Sequence, residues 1–167
     1  GAGPVSITIR DAAGSEIARF ASDDSSLPAA RRPTTRPGLN RFVWDLRHPA
    51  PTKLDTSLAP PKPKSLSGDG DGPTGPLAVP GNYVAALTVG GATQESAFTI
   101  VKDPRLPTGQ AGYEAQFALL RELTDCLGTT HAAINRIRRA KKQIDAAVAA
   151  HTSLKAAGDA ARDRLSA

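Results

Sequence analysis

Between residues 4 and 11 apolar and polar side chains alternate. Val5, Ile7 and Ile9 fall on one side, Ser6, Thr8 and Arg10 on the other. That period of two belongs to a half-buried β-strand. Asp11 to Ser15 reads as a hairpin turn, and Glu16 to Phe20 as a second short strand. Ser22 to Gly38 is a polar connection rich in Arg and Pro. Leu39 to Arg47 alternates again, with Phe42, Trp44 and Leu46 on one face and Arg41, Asp45 and Arg47 on the other. This predicts a third strand, with Trp44, the only Trp, as a core anchor. Residues 48 to 80 are too rich in Pro and Gly for a regular element. Val79 to Tyr83 is a turn that feeds a strong strand through Ala85, Leu87 and Val89. Gly90-Gly91 predicts a tight hairpin, with a partner strand from Thr93 to Lys102. Asp103-Pro104 closes the region, because a residue before Pro is held extended.

After Pro107 the period changes. Phe117, Leu120, Leu123 and Leu127 recur at steps of three and four, one face of a helix. Gly128 is expected to end it, and Thr129 or Thr130 to cap the next. Ile134, Ile137, Ile144 and Val148 mark the second helix, with Lys141 interrupting the stripe. His151 to Ser153 break the run, and Leu154 to Leu165 predict a third, Ala-rich helix. Short connections imply antiparallel neighbours. The fold class is therefore β and α in separate regions. Residues 1–105 form an Ig-like antiparallel β-sandwich with a long loop at 48–80, and residues 106–167 form an antiparallel helical hairpin or three-helix tail.

Composition sharpens this division. The chain has 167 residues, of which 40% are hydrophobic but only 4% aromatic. Ala supplies much of the apolar count and gathers in the last third, whereas most of the Gly and Pro precede Gly112. With one cysteine, Cys126, an internal disulfide and a Cys-rich zinc site are both excluded. No apolar run approaches the roughly 18 residues of a membrane helix, so no membrane association is expected. Gly1 in place of Met reads as the start of a processed fragment, whose signal peptide or upstream domain would have been lost.

The net charge of +5 is mildly basic. Its densest part is Arg136, Arg138, Arg139, Lys141 and Lys142. Without interleaved aromatics this reads as a solvated helix face, with Arg136, Arg138, Arg139 and Lys142 kept as a candidate basic patch for nucleic acid or an acidic partner, both less favoured than the solvated face. His131 and Asn135 share a helix face downstream of Cys126, a nucleophilic vocabulary. Cys126, however, lies near the end of an amphipathic stretch, where a free Cys is ordinarily a small packed residue. Asp69 and Asp71 are candidate calcium ligands, but no later acid completes a loop site. His48, His131 and His151 are isolated, so no metal, no cofactor and no catalytic residue is expected. Trp44 and Tyr83 are candidate stacking residues for a carbohydrate. A glycoside hydrolase needs two carboxyls at a defined separation. Asp45 and Asp103 are the best-placed acids, and nothing in the sequence pairs them.

A resemblance adds to this reading. The segments from Pro37 to Arg47, from Gly75 to Tyr83 and from Phe98 to Arg105, taken in order, resemble the C-terminal region of bacterial BNR-repeat, sortilin-like "glycosyl hydrolase" propeller proteins. The Gly-Leu-Asn…Trp-Asp and Pro-Gly-x-Tyr pieces are also similar to the Ig-like module of the flagellar hook-capping protein. Gln116 to Arg138 resembles the helical tail that follows in the propeller family. The resemblance implies a non-catalytic accessory module of an exported, periplasmic or secreted protein. Such a module would dock on the upstream β-propeller or assemble with itself through its helices. Any active-site residues of that family lie in the propeller, so none is carried over. A carbohydrate-binding sandwich and a glycoside hydrolase fragment are the alternatives.

Overall fold

The computed structural model describes residues 3–58 and 73–165. Four strands, β1 (Val5–Asp11), β2 (Glu16–Ala21), β3 (Gly81–Val89) and β4 (Ala92–Ile100), are followed by two helices, α1 (Gln110–Ala150) and α2 (Lys155–Arg164). The strands form one sheet in the order β2-β1-β3-β4. Every neighbouring pair is antiparallel. The change of element type that the sequence places near residue 105 thus falls between Ile100 and Gln110. The candidate calcium pair, Asp69 and Asp71, lies outside the described residues.

Two hairpins build the sheet, each with a turn its residues favour. In the first, Asp11 Oδ1 accepts from the amides of Ala13 and Ser15 at 3.0 and 2.8 Å. This is the local Asp-to-backbone bonding that makes Asp a turn residue. In the second, Gly90 and Gly91 take φ of 57° and 88°, the paired positive values that a two-residue hairpin requires and glycine adopts at little cost. The hairpins meet along β1 and β3, with Ile7 opposite Leu87 and Ile9 opposite Ala85.

Because paired residues share a face, Ile7, Ile9, Ala18, Phe20, Tyr83, Ala85 and Phe98 all fall on one side of the sheet. That side is the core. Ile9, Ile17, Ala18, Phe20, Ala78 and Tyr83 are buried together, and Leu27, Phe42, Trp44, Phe98 and Ile100 pack against them. Each large side chain buried here contributes roughly 1.5–3 kcal/mol.

The layer over this face departs from the expectation. Leu39 to Arg47 is not a strand, and the described residues hold a single sheet. The alternation survives without the ladder: Phe42 and Trp44 lean onto the core while Val43 is exposed. Regular pairing is interrupted by backbone geometry. Gly38 has φ of 92° and Leu46, a branched residue, φ of 58°, a left-handed position that costs an L-residue roughly 1–2 kcal/mol. The Asn40 amide closes the start of the segment by donating to the carbonyls of Arg36 and Gly38 at 2.8 and 2.9 Å. What remains of strand pairing is one bridge, Arg47 with Leu77. It is framed by His48 N donating to Pro76 O at 2.9 Å and Ala78 N donating to Leu46 O at 2.7 Å. Gly75 fits under this bridge only because it lacks a side chain: a Cβ there would run into the His48 carbonyl.

The helical region also differs. Gly128 does not end a helix; α1 runs through it for 41 residues. Thr129 and Thr130 do not cap a new one. Their hydroxyls donate back to the carbonyls of Asp125 and Cys126, each at 2.9 Å, as they do inside a helix. A glycine inside a helix costs only about 1 kcal/mol relative to Ala, too little to break one whose flanks both favour it. The break at His151 to Ser153 is present, as a single 3₁₀ turn at Thr152–Leu154 before α2.

The chain divides into two compact units that interleave in sequence. Among the described residues, the first holds 3–50 and 74–121, and the second 51–58, 73 and 122–165. Every buried apolar side chain of the core belongs to the first.

Candidate functional site

Trp44 and Tyr83, the carbohydrate candidates, stand in the first unit. Tyr83 is only 7% exposed, and its hydroxyl donates to the Val79 carbonyl. Burial, with the charge of Asp11 adding, pushes this phenol above its ordinary range. Its ring stacks on Phe98 at 5.8 Å and meets Trp44 edge-on at 6.4 Å. Trp44 is half-buried, and its indole N–H donates to the Arg47 carbonyl at 3.1 Å. The three rings satisfy one another and the backbone, which is the arrangement of a core cluster.

The two acids of the hydrolase alternative are each engaged by an arginine. Asp45 receives Arg31 at 3.1 Å. Asp103 receives Arg105 through both carboxylate oxygens, at 2.6 to 3.2 Å. The Arg105 side chain holds the Asp103 carboxyl below its ordinary range, the reverse of what a general acid needs. His48 packs against Phe117, ring centroids 4.7 Å apart. Burial, with the Arg121 charge adding and that of Asp11 opposing, holds its pKa below the ordinary value of 6.5.

In the second unit, the helix face carrying His131 and Asn135 has a definite task. The chain at residues 52–55 runs along it. His131 Nδ1–H donates to the Thr52 carbonyl at 2.6 Å. The Asn135 amide donates to the Lys53 carbonyl and accepts from the Asp55 amide, both at 2.8 Å. One side chain thus satisfies a donor and an acceptor of extended backbone, as a neighbouring strand would. Asn135 is 7% exposed and is the buried polar side chain of the described residues. Gly128 lies on the same face, next to Pro51 and Thr52. Cys126 is exposed and lies five residues before His131, about 140° away around the helix. The Cys-His-Asn set is therefore not brought together.

The basic candidates divide among different faces of α1. Arg139 and Lys142 lie toward Asp55, whose carboxyl is held below its ordinary range first by the Ser57 hydroxyl and further by these two charges. Arg138 is half-buried, and Arg136 is exposed on another side. Farther along, α2 packs on the end of α1. Gly158 lies against Val148 and Ile144, and Arg162 reaches Asp145 at 3.3 Å. Nearer the start of that same face of α1 the side chains are more open: Leu123 is 56% and Ile137 37% exposed.

Sequence reasoning noticed that His131 and Asn135 share a face but not what they hold. Their partners lie about eighty positions upstream, in a stretch with no periodic signal. Among the described residues, no group of three His, Cys, Asp or Glu side chains is placed to hold a metal ion. No helix among them is long and apolar enough to cross a membrane. No known protein family, curated protein or solved structure matches the chain.

Proposed function

We propose that this chain is a non-catalytic interaction module of the kind that follows the β-propeller in the exported BNR-repeat, sortilin-like proteins it resembles. In this reading the sheet and its overlying layer are an Ig-like sandwich, begun on the second side by the pairing of residues 46–48 with 76–78. The helices are an antiparallel tail that docks on the propeller or assembles chains. The observation that carries the reading is the open apolar face of α1. Leu123 and Ile137 are exposed on a helix whose opposite side already holds residues 51–55 and whose far end holds α2. Apolar side chains left aligned on a long helix are stabilised by a further partner. The engagement of Asp45 and Asp103 by arginines gives the hydrolase alternative no support.

The test is size-exclusion chromatography of the purified chain alone and mixed with the propeller of its parent protein. Co-elution or self-association is expected. A chain that does neither, or that turns over nitrophenyl glycosides above the rate of a blank, is not this module.

A further inference from the structure

The open face of α1 in the second unit has an order that selects its occupant. Leu123, Cys126, Thr130, Ala133, Ile137 and Ala140 follow one another at steps of three and four, so they form one line along the helix. The first five are exposed and Ala140 is half-buried. None carries a charge. The tethers to residues 51–55 are on the opposite side, and α2 packs farther along this same line, at Ile144 and Val148. The line is exposed from Leu123 to Ile137, about four turns. A heptad row of this kind is completed by the same row on another helix.

Charge decides how. Glu122 and Arg136 flank the line at equivalent heptad positions, two heptads apart, and both are exposed. When two copies lie antiparallel with Leu123 of one facing Ala133 of the other, Glu122 of each comes beside Arg136 of the other, twice by symmetry. In the same register Cys126 faces Thr130, and Ile137 falls opposite Leu119, so apolar side chains meet at both ends of the contact. The parallel alternative offers no such pairing. It sets Arg136 beside the second copy's Lys141, a like-charge contact, and leaves Glu122 beside an apolar Leu127.

We infer that two copies of this chain pair antiparallel through this row of α1, around a two-fold axis between Cys126 and Thr130. The inference rests on the reading of the chain as an assembly module and names its partner. A C2 contact is self-complementary in the manner required, each copy supplying both the acid and the base.

Sedimentation equilibrium of the intact chain tests it, with circular dichroism confirming that each variant keeps its helix content. A monomer–dimer equilibrium is expected. Ile137→Glu raises the dissociation constant about tenfold or more by placing a charge in the closed layer. Glu122→Arg alone and Arg136→Glu alone each weaken the dimer several-fold, and the double variant restores it. Both positions are exposed, so the reversal pair remains decisive if Ile137→Glu fails to fold. A monomer at millimolar concentration, a dimer indifferent to these changes, or a double reversal that does not restore pairing overturns the inference. A monomer that still co-elutes with the propeller overturns this inference alone and leaves the proposed module standing.

Discussion

The two units of this protein solve burial in opposite ways. In the sheet unit the interior is apolar and contiguous: Ile9, Ile17, Phe20 and Tyr83 close on one another, and Phe42 and Trp44 complete the layer from outside the sheet. In the helical unit a polar side chain, Asn135, is buried, and it holds chain to helix with two directed hydrogen bonds. The first unit gains from area removed from water, which tolerates irregular chain as a covering layer. The second gains from a few bonds of fixed geometry, and it leaves part of its apolar row, Leu123 and Ile137, facing out.

The largest expected effect probes the sheet unit. Phe20→Ala removes a ring buried against Phe42 and should cost about 3–5 kcal/mol. Thermal melting followed through the near-ultraviolet signal of Trp44 would register the loss. An unchanged midpoint would show that the irregular layer, not the sheet face, carries this unit.

Asn135→Ala comes next. It strands the Lys53 carbonyl and the Asp55 amide in a half-buried place, at about 1–3 kcal/mol for each group left without a partner. Hydrogen exchange at the Asp55 amide reads this directly. Protection there should collapse while the amides of β1 and β3 keep theirs. Protection that survives the substitution would remove the polar tether as the organising contact of the second unit.

A smaller effect of opposite sign is expected at Gly128. A methyl there would make ordinary contacts, 3.5 Å to the Thr52 amide nitrogen and 3.7 Å to Pro51. The helix preference for Ala over Gly, about 1 kcal/mol, is then gained. Gly128→Ala should therefore raise the melting midpoint of the helical signal. Gly75→Ala in the sheet unit should do the reverse, because its Cβ meets backbone.

The smallest effect is one of pH. His48 has a folded pKa below its ordinary 6.5, chiefly through burial. The unfolded chain thus binds a proton that the folded chain resists, and the sheet unit loses stability as the pH falls from that ordinary value toward the lowered one. Asp55 in the helical unit behaves differently. Its carboxyl is held down by Ser57, so its contribution is present above the ordinary 3.8 and is lost only as the pH falls through the lowered value. Amide shifts followed by NMR should show residues around His48 responding first. His48→Gln should flatten that response; if it does not, another group in the sheet unit titrates.

Local order was legible in the chain itself. Alternation marked β1, β3 and most of β4, Asp11 and Gly90-Gly91 marked both turns, and the change of period marked where helix begins. Each of these depends on residues a few positions apart, and the periods of two and 3.6 are imposed by the backbone on any sequence. The same local signals also explain the misreadings. Phe42 and Trp44 alternate as a strand would, and they do point inward, but a strand needs a neighbour to bond. Leu46 turns away with a positive φ before one is reached. Gly128 looks like a helix stop because Gly is common there, yet what it meets is Pro51 and Thr52, across a distance in sequence that no local pattern spans.

Sequence alone therefore determined most of the elements and the side each turns toward an apolar neighbour. Tertiary structure decided which elements became neighbours. It set the order β2-β1-β3-β4, covered the sheet with irregular chain, and gave Asn135 the backbone of residues 53 and 55 to hold. The reason is that strand partners and tethers are chosen by groups far apart in the chain, whose hydrogen-bonding needs are the same everywhere and so leave no mark in the order of residues. Apolar periodicity is different: it must be written into the sequence for one face of an element to leave water.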